Sequence, residues 1–259
     1  MTFAAIVALI FGLIIGSFLN VCIYRLPREK SVVNPPSFCP GCGTPIRPWD
    51  NIPVISYLLL AGKCRRCGQK ISLRYPAVEL LNGLLYVAAT MQFGIDWRLP
   101  FILAFVSAMI VITFIDLDFQ IIPDVITIPG MIIGLAGSHF LIPDPFMNDA
   151  ILGLVNSVIG LLAGGVSFYL IAILSRGGMG GGDVKMMAMV GAFMGWKGVL
   201  LTTLIGSLTG SLIGIGLMIF KGAGRKTKIP FGPFLSLGSL ATLFFGRVIL
   251  EWYLPGKIG

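Results

Sequence analysis

The constraint that dominates this chain is a succession of long apolar runs, which leaves little polar sequence from which to build a water-soluble domain. Such runs cover residues 2–19 and then, approximately, 76–93, 99–115, 125–142, 150–174, 184–196, 198–220 and 231–254. Most are long enough to cross the hydrocarbon layer as helices, and a helix satisfies its own backbone polar groups there. Charged residues make up only 12% of the chain, against roughly 25% in soluble domains. The sequence therefore predicts an all-α polytopic membrane protein of about eight transmembrane helices.

Charge then orients these spans. No basic region precedes the first run, whereas Arg25, Arg28 and Lys30 follow it. That order predicts an uncleaved first span, residues 1–20, with its N-terminus outside. Gly16-Ser-Phe-Leu-Asn20 closes the span with residues suited to close helix packing and an interfacial cap. Cys22 reads as a small packing residue. Residues 21–75 form the one sizeable polar segment, holding nine of the 19 Lys and Arg residues. It is predicted to be cytoplasmic, and residues 76–259 carry the other seven spans. The surplus of 19 basic over 11 acidic residues is thus assigned to cytoplasmic loops, not to nucleic-acid binding.

Within the polar segment, Cys39-Pro-Gly-Cys42-Gly-Thr-Pro-Ile46 is echoed by Cys64-Arg-Arg-Cys67-Gly-Gln-Lys-Ile71. Both follow C-x-x-C-G-x-x-I, an internal repeat of two thiolate turns. Four thiolates on two such turns suit a tetrahedral Zn²⁺ better than a redox dithiol, although the 21 intervening residues slightly exceed the usual ribbon spacing. With all four positions filled the ion has no place for water, so its expected role is structural. Residues 53–60 in the gap are apolar and suited to the membrane surface. Pro76 fits a helix start, and Glu79 lies just inside the second span, as a favourable charge near a helix N-terminus or as a functional group.

The run 184–196 is short, about 20 Å as a helix against a core of roughly 30 Å. If it crosses, Lys221, Arg225, Lys226 and Lys228 join Arg176, Lys185 and the cysteine segment on one side. That places fifteen of the 19 basic residues inside, so crossing is expected. The same topology brings two acid-bearing links to the cytoplasmic face. One is Phe114-Ile-Asp116-Leu-Asp118-Phe-Gln-Ile-Ile-Pro123-Asp124, with three acids and no base. The other, residues 175–185, is glycine-rich and carries Asp183 beside the short helix. Asp96, Asp144 and Asp149 fall on the opposite face.

Two carboxylates held close share a proton. The ionised one can activate water while the protonated one polarises a peptide carbonyl. Competing hydrolytic machinery is scarce, because the single histidine, His139, is placed near the outer face and no H-E-x-x-H motif occurs. The acids are also compatible with a cation path, and the cysteine segment with a noncatalytic scaffold. A transporter of this kind commonly shows repeat-related spans, which this chain lacks.

The motifs now on the page resemble those of the bacterial type IV prepilin peptidases, GxGD-class membrane aspartic proteases. The resemblance lies in Met179-Gly180-Gly181-Gly182-Asp183-Val184-Lys185 and the segment 116–124. It extends through Gly16-Ser-Phe-Leu-Asn20, Tyr24-Arg-Leu-Pro27, both cysteine pairs, Ile71-Ser-Leu-Arg-Tyr-Pro-Ala-Val-Glu79 and Ile229-Pro-Phe-Gly-Pro-Phe234. It implies an enzyme that removes the basic leader of type IV prepilins, or of type II secretion pseudopilins, after a glycine on the cytoplasmic side. Members with the cysteine-bearing segment typically then methylate the new amine with S-adenosylmethionine. By motif the paired aspartates fall on Asp116 and Asp183, with Asp118 and Asp124 as second choices. The loop Gly180, Gly181, Gly182 and Lys185 is expected to face the leader, and Glu79 to serve the methyl-transfer part. The resemblance also implies a bacterial inner-membrane location, and the charge order with eight spans predicts both termini outside.

Overall fold

The structure, a computed structural model, describes residues 2–147, 150–175, 178–221 and 229–253. The predicted basic residues Arg176, Arg225, Lys226 and Lys228, together with Asp149 and the C-terminal end, lie outside the described residues. Among the described residues every regular element is a helix: α1 (Thr2–Arg25), α2 (Ile55–Leu59), α3 (Arg74–Phe93), α4 (Leu99–Phe119), α5 (Asp124–Ser138), α6 (Leu154–Leu174), α7 (Gly181–Lys221) and α8 (Gly232–Tyr253). Isolated bridges replace strands. Five of these helices are long and apolar enough to cross a membrane. By contrast α5 has only 15 residues, and α3 carries Glu79, Asn82 and Thr90 on its buried face.

The chain forms two compact units. Residues 1–99 with 106–111 make the first, and residues 100–105 with 112–259 the second, so α4 contributes to both.

In the first unit α1 and α3 approach through small residues. A Cβ on Gly12 would lie 2.8 Å from Gly83 Cα, and one on Gly16 would lie 2.7 Å from Glu79 Cα. Membrane helices gain their association from such close contact and from interhelical hydrogen bonds. Asn82 Nδ2 accordingly donates to Gly12 O at 2.7 Å. The Tyr86 and Ser107 hydroxyls meet at 2.9 Å, and Ser107 donates to Asn82 Oδ1 at 3.3 Å. Arg25, buried at the end of α1, donates to Ser31 O and Pro35 O, which folds the following chain back on the helix.

In the second unit α7 is two helices joined at Gly195, whose φ of 68° and ψ of −177° interrupt the helical path. Only glycine adopts that backbone without strain. The first arm packs on α6 through Gly160, Gly164 and Gly191 and on α5 through Gly130 and Gly134. At its far end Phe193 and Met194 border the same small cavity as Leu243 of α8. From there the second arm returns: Thr202 bonds Thr242, and Gly206 and Gly210 lie against Phe234 near the start of α8. The chain thus travels to the level of Leu243 and back, about 16 Å along α8. The run 184–196 forms an arm of its own, ended by the break at Gly195. Counting the arms of α7 separately, the described residues form eight α-helices besides the short α2, the number predicted.

Candidate active site and metal centre

Asp116 occupies the last turn of α4 and Asp183 the first turn of α7. Both are buried in the second unit. They stand 67 residues apart in sequence. Each carboxylate is held by a backbone amide. Asp116 Oδ2 accepts from Gly232 N at 2.9 Å, at the N-terminus of α8, where unpaired amides present positive partial charge. Asp183 Oδ2 accepts from Gly180 N at 3.2 Å.

The glycine loop is shaped by this arrangement. A Cβ on Gly182 would lie 2.8 Å from Ile122 Cβ, so the loop rests directly on the link that follows α4. Gly181 has open space beside its Cα. Lys185 Nζ forms a salt bridge to Asp124 at the start of α5, 2.6 Å from Oδ2. Asp118 is exposed. Of the four acids singled out in the sequence, the two first choices are therefore the buried, amide-held pair. Of the second choices, one is exposed and the other is committed to a lysine.

Gly232 has a part at the site that sequence reasoning did not give it. A Cβ there would lie 2.7 Å from Asp116 Oδ2. The signal was present as a glycine between two Pro-Phe pairs just before an apolar run, but nothing local links it to an acid 116 residues away. His139 caps the C-terminal end of α5, the end opposite Asp124, and stacks edge-on against Phe140.

In the first unit the two cysteine turns repeat atom for atom. Gly43 N donates to Cys39 O and Gly68 N to Cys64 O, at 2.8 and 3.0 Å. Cys39 N bonds Thr44 O as Cys64 N bonds Gln69 O, and Ile46 N bonds Ser37 O as Ile71 N bonds Gly62 O. Gly43 and Gly68 take φ of 67° and 72°, which explains the glycine shared by both copies. The four Sγ atoms lie within 4.8 Å of one another, and Cys39 and Cys67 are 3.8 Å apart. Four thiolates about 2.3 Å from a tetrahedral Zn²⁺ would be about 3.8 Å apart, so the cluster fits such an ion with a small contraction. Thr44, through its hydroxyl and its backbone, pulls the Cys42 thiol down to about 6. The backbone amides of Cys67 and Arg66 hold Cys64 below its ordinary value. Arg66 donates to Thr44 Oγ1 at 3.0 Å, and the Cys42 sulfur lies 3.3 Å from the same oxygen. Glu79, also buried, accepts from Val54 N at 2.8 Å.

Comparison with known proteins finds a separate family match for each part of the chain. Residues 10–93 match the bacterial peptidase A24 N-terminal domain, and residues 103–215 match the type IV leader peptidase family. A protein of Pseudomonas aeruginosa named prepilin leader peptidase/N-methyltransferase is 36% identical, covering 95% of this chain and 92% of its own. Proteins of the same name from Aeromonas hydrophila and Legionella pneumophila are each 36% identical. They cover 95% and 97% of this chain, and 92% and 95% of their own. No solved structure matches the chain. With likeness of this extent running through both cysteine turns and both aspartate segments, the chain belongs to the type IV leader peptidase family.

Proposed function

We propose that the protein is a prepilin leader peptidase in which Asp116 and Asp183 form the catalytic pair, and that it also methylates the amine it exposes. The observation that carries the reading is the burial of these two carboxylates where the glycine loop meets the link after α4, each on a backbone amide. Two such groups share one proton, so the ionised member takes a proton from water as it attacks the scissile carbonyl. The protonated member hydrogen-bonds the carbonyl oxygen and supplies the proton that leaves with the amine. Neither step needs a metal or a covalent intermediate.

The leader, basic and cut after a glycine, is drawn to a link that carries Asp116, Asp118 and Asp124. Gly180, Gly181, Gly182 and Lys185 line its path, where the open side of Gly181 admits an extended backbone. Substrates are type IV prepilins or type II secretion pseudopilins. The enzyme sits in the bacterial inner membrane with both termini outside and the pair facing the cytoplasm. Cys39, Cys42, Cys64 and Cys67 hold a structural Zn²⁺, which supplies cohesion to a segment with little apolar core. S-adenosylmethionine is the methyl donor.

Incubating the purified protein with a prepilin peptide, with and without S-adenosylmethionine, tests both activities by product mass. Loss of the leader upon incubation, and a further methyl increment only with the donor, support the reading. An intact peptide rejects the peptidase assignment, and cleavage without the increment rejects only the methyl step.

A further inference from the structure

The short helix α2 is folded inside out. Its one buried residue is Ser56, 5% exposed, whereas Ile55, Leu58 and Leu59 are 53%, 70% and 79% exposed. The inward hydroxyl is fully employed, accepting from Ile52 N at 3.0 Å and donating to Trp49 O at 2.8 Å. A five-residue helix has no stability of its own, and a soluble one turns its leucines inward.

Three further contacts hold it in this orientation. Val54, just before α2, has φ of 61°, a conformation rare for a β-branched residue, and its amide is held by Glu79 Oε2 at 2.8 Å. Tyr57 donates to Ile71 O at 3.3 Å. Arg65 grips Asp50 through Nε and a terminal nitrogen, at 2.7–3.0 Å, fixing the turn that bears Trp49 to the second cysteine turn. Glu79 is the sixth residue of α3, about 8 Å beyond that helix's start. Leu80, Leu81 and Leu84, which follow it, are exposed, continuing the apolar exterior of α1 and α3.

We infer that α2 is a monotopic anchor, its Ile55, Leu58 and Leu59 seated in the headgroup–acyl boundary of the bilayer that α1 crosses. Lipid is the occupant because Glu79, which tethers the face, lies against Gly16 inside α1, a helix long and apolar enough to cross a membrane, and the exposed leucines of α3 continue that apolar exterior. Trp49, 59% exposed with the Arg47 guanidinium 5.8 Å over its ring, supplies the aromatic and basic pairing that favours this interface. Glu79 thereby acquires a positioning role: it couples α3 to the anchor and so fixes the cysteine segment at the membrane surface.

The test uses the full chain in phospholipid nanodiscs, with Trp97→Phe, Trp196→Phe and Trp252→Phe leaving Trp49 as the sole tryptophan. Lipid brominated near the top of its acyl chains is expected to lower Trp49 emission by about half, to the same extent with and without a prepilin peptide. Leu58→Asn with Leu59→Asn is expected to reverse most of that quenching while peptide cleavage persists. Emission indifferent to bromine overturns the proposal. A benzophenone side chain at position 59 of the otherwise native chain decides independently of the tryptophan changes. An adduct of phospholipid mass supports the anchor, and a crosslink to the prepilin or to a second copy overturns it.

Discussion

The backbone amide of Gly232 and the carboxylate of Asp116 meet at 2.9 Å, tying the start of α8 to the end of α4. The contact leaves no room for a side chain at position 232. Gly232→Ala is therefore expected to displace Asp116 and to lower kcat by about 100-fold, the scale at which misplacement by an ångström acts. KM for a prepilin peptide should change little, and the variant should insert normally. Steady-state kinetics on the purified variant check this.

The Asp124–Lys185 pair is half exposed on both sides, and such pairs contribute about 0–1 kcal/mol. Asp124→Asn is expected to leave cleavage detectable and thermal stability nearly unchanged, whereas Asp116→Asn abolishes cleavage. Equal loss in the two variants would move Asp124 into the catalytic pair.

Gly195 reverses the chain between the arms of α7 with a backbone that other residues adopt only under strain. Gly195→Ala is expected to destabilise the protein by about 1–3 kcal/mol, read as a lowered thermal midpoint in nanodiscs.

Cys39, Cys42, Cys64 and Cys67 predict about one Zn²⁺ per chain. Cys42→Ser should lower both metal content, by elemental analysis, and the stability of residues 21–75, by protease resistance. A metal-free protein that resists protease as well as the wild type would contradict this.

Much of this was legible because it is written in local patterns. The duplicated C-x-x-C-G-x-x-I gave the paired turns and their glycines, and the apolar runs gave the long helices. Local pattern gathered Asp116, Asp118, Asp124 and Asp183 on the side rich in lysine and arginine, and the family resemblance picked Asp116 and Asp183 from among them. What escaped was non-local. The Gly232–Asp116 bond joins segments whose pairing no periodicity encodes. Gly182 read as room for a peptide, and the structure gives it a second reason, contact with Ile122. Residues 53–60 read correctly as apolar, but which face turns inward was set by Ser56 and Trp49 through hydrogen bonds rather than by hydropathy.

The central claim is that Asp116 and Asp183 together cut the leader, and the most direct measurement is the mass of a prepilin peptide after incubation with purified Asp183→Asn protein in nanodiscs. The account predicts an intact peptide, with the wild type removing the leader under the same conditions. Leader removal by the Asp183→Asn protein would contradict it.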